Sequence, residues 1–163
     1  MHKKITAALA GIALMVSSPV AALACMDYDY SNETLYFNDG SGAKPAQIVV
    51  QYIANIADRD LTNSRGVRLT NFAAVLQQDR ANLHKTGFSD DPEGVVTIDN
   101  YFTNAERRSL LSSADYFFYC DFTQKDMNAL KNQIVEGRVQ GWLSVTVFKR
   151  SKSALGVFIQ LVG

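Results

Sequence analysis

Two cysteines, one histidine beyond the extreme amino terminus, and three cations near the only tryptophan are the residues through which this chain could do chemistry. His84 would have to be the general base of any Ser-His-Asp or Cys-His site, yet no nucleophile motif stands near it. A solvated surface histidine accounts for it better. Zinc needs three or four Cys, His or carboxylate ligands, and Cys25, Cys120 and His84 fall into no metal-binding spacing. Asp27-Tyr28-Asp29-Tyr30-Ser31 has the opening of a calcium loop. Asn32 stands where that loop needs glycine, and Asn38 where it needs a bidentate glutamate. Asp90, Asp91 and Glu93 read as an exposed acidic loop. These residues specify no enzyme and call for no cofactor.

Binding is better provided for. Trp142 with Lys149, Arg150 and Lys152 places an aromatic ring among cations, a combination that suits an anionic glycan or an acidic protein surface. Cations on a hairpin tip also serve solubility. The series Tyr101, Phe102, Tyr116, Phe117, Phe118 and Tyr119 could stack on bases or sugars, but alternating aromatics on strands usually pack inward.

The amino terminus says where these residues work. His2, Lys3 and Lys4 precede the uncharged apolar run Ile5–Val16, Ser17-Ser18-Pro19 breaks it, and Ala22-Leu23-Ala24 offers small residues for cleavage before Cys25. That is the layout of a secretory signal over residues 1–24, and the run is too short to span a bilayer. The expected location is periplasmic or secreted. Two chemistries then compete for Cys25. A cysteine at the cleavage point is where a bacterial lipoprotein receives its lipid, although Ala22 and Leu23 fit that motif loosely; acylation would make the chain an outer-membrane lipoprotein. Alternatively Cys25 pairs with Cys120, the one other cysteine, in an oxidising compartment.

Removing residues 1–24 leaves 139 of 163 residues, enough for one core, with 14 basic against 16 acidic side chains, a charge of −2. Nonspecific binding to nucleic acid needs a positive excess this chain lacks.

The elements expected along the mature chain run as follows. Residues 25–44 read as a polar leader. Ile48, Val49, Tyr52, Ile53, Ile56 and Ala57 recur at helical spacing behind Pro45. From Val67 to Leu76 the period falls to two and predicts a strand. Residues 77–82 read as a turn, 83–88 as the start of a return strand, 89–94 as a loop and 95–98 as a short strand. Thr103 and Glu106 have capping-box spacing before a short helix. Tyr116–Phe122 reads as a central strand, and Thr123 with Asp126 caps a helix whose buried side is Met127, Leu130 and Ile134. Residues 134–148 read as one or two strands bent at Gly137 and Gly141, and 155–162 as the last strand.

Tyr52-Ile53-Ala54-Asn55-Ile56-Ala57-Asp58, Arg65-Gly66-Val67-Arg68-Leu69-Thr70, Tyr119-Cys120-Asp121-Phe122 and the segment Leu130 to Gly141 together resemble the tRNA-anti-like OB-fold family of small exported bacterial domains. The resemblance spans about residues 45–162. It implies an α+β domain over 45–163: a five-stranded barrel with an amino-terminal helix and a short helix between strands three and four. Fold alone does not imply RNA binding. The function expected is a non-enzymatic envelope module that holds a protein or glycan partner on the barrel face. The alternative is a periplasmic immunity or inhibitor protein acting through a loop such as 85–94.

Overall fold

The computed structural model describes residues 24–86, 99–151 and 154–163. The expected signal segment, most of the 85–94 loop, the 95–98 strand and Lys152 lie outside these residues. The fold is mixed α+β, in three layers.

The central layer is a four-stranded sheet of β4 (Gln47–Ala54), β5 (Asp115–Phe117), β6 (Trp142–Lys149) and β7 (Leu155–Val162), in the order β4-β6-β7-β5. β4, β6 and β7 are antiparallel, and β5 joins β7 in parallel. The period of two in β6 assigns its faces: Leu143, Val145 and Val147 point one way, Ser144, Thr146 and Phe148 the other. The first set meets Val157 and Ile159 of β7, Tyr52 and Ala54 of β4, and three helices: α1 (Phe72–Thr86), α2 (Ala105–Ser113) and α3 (Gln124–Glu136). On the opposite face lies a smaller sheet of β1 (Cys25–Asp29), β2 (Thr34–Asn38) and β3 (Ala43–Pro45). It buries Met26 and Leu35 against Phe117, Phe148 and Phe158. Phe148 lies flat across its register partner Gly156, where any Cβ would meet the ring.

Several elements match the sequence reading. Thr123 and Asp126 form the capping box of α3, with Met127, Leu130 and Ile134 buried, and β7 covers Leu155–Val162. The helix ends at Gly137, whose φ of +70° a side chain rarely adopts. The short helix before β5 also forms, although Asn104 rather than Thr103 caps it.

Other elements differ, each for a physical reason. Residues 45–57, expected as a helix, carry β4. Four of the seven residues from Ile48 to Ala54 are β-branched, and the strand bulges between Ile48 and Val50. The extra residue breaks strict alternation and imitates helical spacing. Conversely, the expected strand and turn over 67–82 and the return strand after 83 are largely α1. Asn71 Oδ1 accepts the Ala74 N–H at 3.2 Å, and the buried stripe Phe72, Val75, Leu76, Asp79, Arg80 and Leu83 has helical spacing. Two charged residues inside that stripe hide its period. The leader at 25–44 is the packed small sheet, with Met26 and Leu35 buried and the polar residues facing out. The strand expected over 116–122 is only Asp115–Phe117, and it lies at the end of the sheet. Finally, neither sheet closes into a barrel among the described residues. β4 and β5 stand at opposite ends of one open sheet, because material expected to form strands is spent on helix α1.

The structure joins Cys25 to Cys120 by a disulfide, which leaves Cys25 no thiol for a lipid. The bridge ties β1 to the chain just after β5. Backbone hydrogen bonds from Met26 N to Phe118 O (2.9 Å) and from Cys120 N to Met26 O (3.1 Å) repeat the connection.

Candidate functional site

Of the sequence-selected group, Lys152 lies outside the described residues, and Trp142 stands apart from Lys149 and Arg150. Trp142 begins β6 and Lys149 ends it, roughly 23 Å apart at about 3.3 Å per residue. Arg150 is paired with Asp115, and its guanidinium sits 5.5 Å from the ring centres of Phe37 and Phe117. Lys149 and Arg150 flank a shallow groove with Gln47 and Ser151.

A better-formed concavity lies where the β1–β2 hairpin overhangs the outer face of the central sheet. The hairpin covers Phe148 and Phe158 but stops short of the polar part of that face. The half-open cleft left between them has a volume of about 320 Å³. Its floor is Gln51, Thr146 and Gln160, one from each antiparallel strand, with Ile48 and Phe158 beside them. Tyr28, Tyr30 and Tyr119 also line it, with Tyr30 and Tyr119 close to one another. The Tyr28 and Tyr30 rings meet edge to face at 4.9 Å, and Tyr30 is 81% exposed.

Gln51 Nε2 donates to Thr146 Oγ1 at 2.9 Å, and Gln160 Nε2 donates to the Tyr119 hydroxyl. Each amide thus spends one donor on the protein and keeps a second N–H and its carbonyl oxygen without a partner among the described residues. Partial burial raises the Tyr119 phenol above its usual range, against the hydrogen bond from Gln160, so it remains a neutral hydroxyl. Among the described residues Glu33 is the one acidic side chain on the lining, and no Lys, Arg or His lines it.

The hairpin turn that carries Glu33 is held by its own side chains. Asp29 Oδ1 accepts the Ser31 N–H at 2.9 Å and the Ser31 hydroxyl at 2.7 Å, bonds that hold the Asp29 carboxyl below its usual range. The calcium-like string at 27–31 is therefore a turn motif in which Asp29 is bonded to its own chain.

His84 is not the solvated histidine expected. Its side chain is 13% exposed, and Nε2 lies 3.3 Å from Asp99 Oδ2. It borders a buried ionic centre under α1. Arg80, with no exposed surface, donates from Nε to Asp79 Oδ2 at 2.7 Å and from Nη1 to Asp99 Oδ2 at 3.3 Å. Its guanidinium stacks over the Tyr52 ring at 4.0 Å. Asp99 Oδ1 also accepts the backbone N–H groups of Tyr101 and Phe102 at 2.9 and 2.6 Å. The centre thereby fixes the entry to α2 on the side of α1. The sequence reading missed it, although two charges at helical spacing among apolar residues were the signal. With Arg80, Asp79 and Asp99 buried, the centre serves to position elements.

Burial pushes the Asp79 carboxyl up to about 6, the Arg80 charge opposing. A carboxyl raised in the folded state binds its proton there more readily than in the unfolded chain. Its contribution to stability is present below the unfolded value near 3.8 and is lost as pH rises through about 6. Asp99, held low despite burial by its backbone N–H bonds and Arg80, acts in the opposite sense and loses its contribution as pH falls below its unfolded value. Urea unfolding of Asp79→Asn and the unaltered chain from pH 4 to 7 separates the two. The difference between them should change by about 2–3 kcal/mol across that window, the unaltered chain declining relative to the variant as pH rises. Parallel curves would refute the assignment.

The aromatic series of the sequence reading divides. Phe102, Phe117 and Phe118 are buried, whereas Tyr101, Tyr116 and Tyr119 are half-buried. Of the six only Tyr119 reaches the cleft. Glu33, Gln51, Thr146 and Gln160 carried no sequence signal, because a polar residue on an outward strand face looks like any solvated position. Searches against protein-family models, curated proteins and solved structures find no match to this chain.

Proposed function

We propose that this chain is a non-catalytic binding module of the cell envelope that holds a glycan in the cleft between its two sheets. The observation that carries the reading is the chemistry of that cleft: tyrosine sides, a floor of side-chain amides and a hydroxyl, and no cation among the described lining residues. Flat aromatic faces suit the C–H faces of a sugar ring, and side-chain amides suit its hydroxyl groups. The volume is at the lower end of small-molecule sites. An anion would find no counter-charge among the described lining residues, which disfavours nucleic acid and phosphorylated glycans. Envelope location is supported by the signal-type amino terminus together with the disulfide.

The test is capture on a glycan array by the chain purified with its disulfide intact, followed by titration of whatever binds. Gln51→Ala with Gln160→Ala should weaken binding by about 10–100-fold, as expected for losing two hydrogen bonds of ordinary net strength. Thermal unfolding should be little altered, since both residues lie on the outer face. Undiminished capture by that double variant would discard the cleft as the site.

A further inference from the structure

Resting on that reading, we propose that the hairpin end of the cleft receives an ammonium group, so that the ligand is an amino sugar with a free amine. Three observations converge on Glu33. First, its backbone has a φ of +54°, the only non-glycine residue with positive φ among those described. Glycine or asparagine would sit there at less cost. Second, its carboxylate has no hydrogen bond or ion pair within the described chain, yet lines the cleft beside Tyr28 and Tyr30. A strained turn position thus holds a carboxylate that the fold itself does not use. Third, Tyr30 is 81% exposed, against the usual packing of a large aromatic, and Tyr28 stands edge to face with it.

Ring faces and a carboxylate together present negative potential from two directions, the arrangement that favours an organic cation. A second concavity on the far side of the same two rings is lined by Asp27, Asp29 and Tyr36, so the field around the hairpin is negative on both sides. The nearest basic side chain on this small sheet, Lys44, is engaged by Asp39 at 3.5 Å and Ser41 at 3.0 Å. The ammonium alone would fit a lysine side chain equally well. The amides of Gln51 and Gln160, on β4 and β7 to either side of β6, favour a ligand with several hydroxyl groups beyond its charge.

Isothermal titration with three probes decides it: a glucosamine tetramer, the N-acetylglucosamine tetramer with the same backbone and no charge, and tetralysine. The glucosamine tetramer should bind at least ten-fold more tightly than its acetylated counterpart. Glu33→Gln should remove that preference, so that the two saccharides bind alike. Glu33→Gly, relaxed at that φ, should remove it too while raising the melting temperature, which separates loss of the carboxylate from damage to the turn. Equal binding of the two saccharides, indifferent to Glu33→Gln, overturns the ammonium site and leaves the glycan cleft standing. Tetralysine bound without either saccharide overturns the amino-sugar assignment and the glycan reading together. No binding of any probe also overturns the amino-sugar assignment, and the glycan array then judges the cleft separately.

Discussion

Replacing Arg80 by methionine is expected to lower the free energy of unfolding by about 3–5 kcal/mol. The side chain is fully enclosed, and its charge faces Asp79 and Asp99, themselves buried. Methionine keeps most of the volume and removes the cation, so two carboxylates are left in a poorly solvated interior without the guanidinium that faces both of them. Removing one partner of a buried pair is costly for that reason, even where the intact pair adds little net stability. The consequences reach beyond the pair. Asp99 holds the backbone of Tyr101 and Phe102 ahead of α2, and the Arg80 guanidinium supports the Tyr52 ring of β4. The urea midpoint should therefore fall steeply, and circular dichroism at room temperature should already show lost helix. Arg80→Lys keeps the charge without the planar fork and should fall between the two. A loss below about 1 kcal/mol, the range of an exposed ion pair, would show that water reaches the centre.

The second large effect is expected from the disulfide. Cys25 and Cys120 are separated by 95 positions, and closing a loop of that size stabilises a fold by about 4–5 kcal/mol in the chain-entropy account. The bridge also decides how the small sheet is seated. Without it, β1 is held by the two backbone hydrogen bonds near Met26 and by the cluster of Met26 and Leu35 on Phe117, Phe148 and Phe158. Cys25→Ser with Cys120→Ser should therefore lower the unfolding free energy by several kcal/mol and weaken ligand capture, since the hairpin supplies one wall of the cleft. Equilibrium unfolding under oxidising and reducing conditions measures the first effect, and titration the second. An intact mass carrying diacylglycerol on the mature chain would refute the pairing outright.

The two cysteines were legible in the sequence, and their partnership was not. A thiol just after a signal-type segment fits both lipid and disulfide, and only the approach of β1 to the chain beyond β5 brings the two sulfurs within bonding distance. The same division holds for the secondary structure. The capping box at Thr123–Asp126 and the alternating run of β7 are local, and local rules read them correctly; the strand expected over 134–148 is only Trp142–Lys149, because Ile134 to Glu136 complete α3 and Gly137 caps it. The segments 48–54 and 72–86 were read the wrong way round. A bulge gave the strand a helical rhythm, and two charged residues in the buried stripe concealed the helix. Pairing of β4 with β6 settled the first case. The neutralisation of Arg80 by Asp99, 19 residues away, made the second stripe compatible with a core.

What the sequence alone carried is a signal-type layout over residues 1–24, a near-neutral charge balance and the strongly local elements. The tertiary structure decided which cysteine chemistry applies, which way the two ambiguous segments fold, and that the sheets stay open rather than wrapping into a barrel. It also brought together the residues of the proposed cleft. Glu33, Gln51, Thr146 and Gln160 come from four different strands and turns, and each alone is an ordinary polar surface residue. Only the stacking of one sheet over another turns them into one cleft, because a binding site is a property of relative position, which residue types and their spacing do not encode locally.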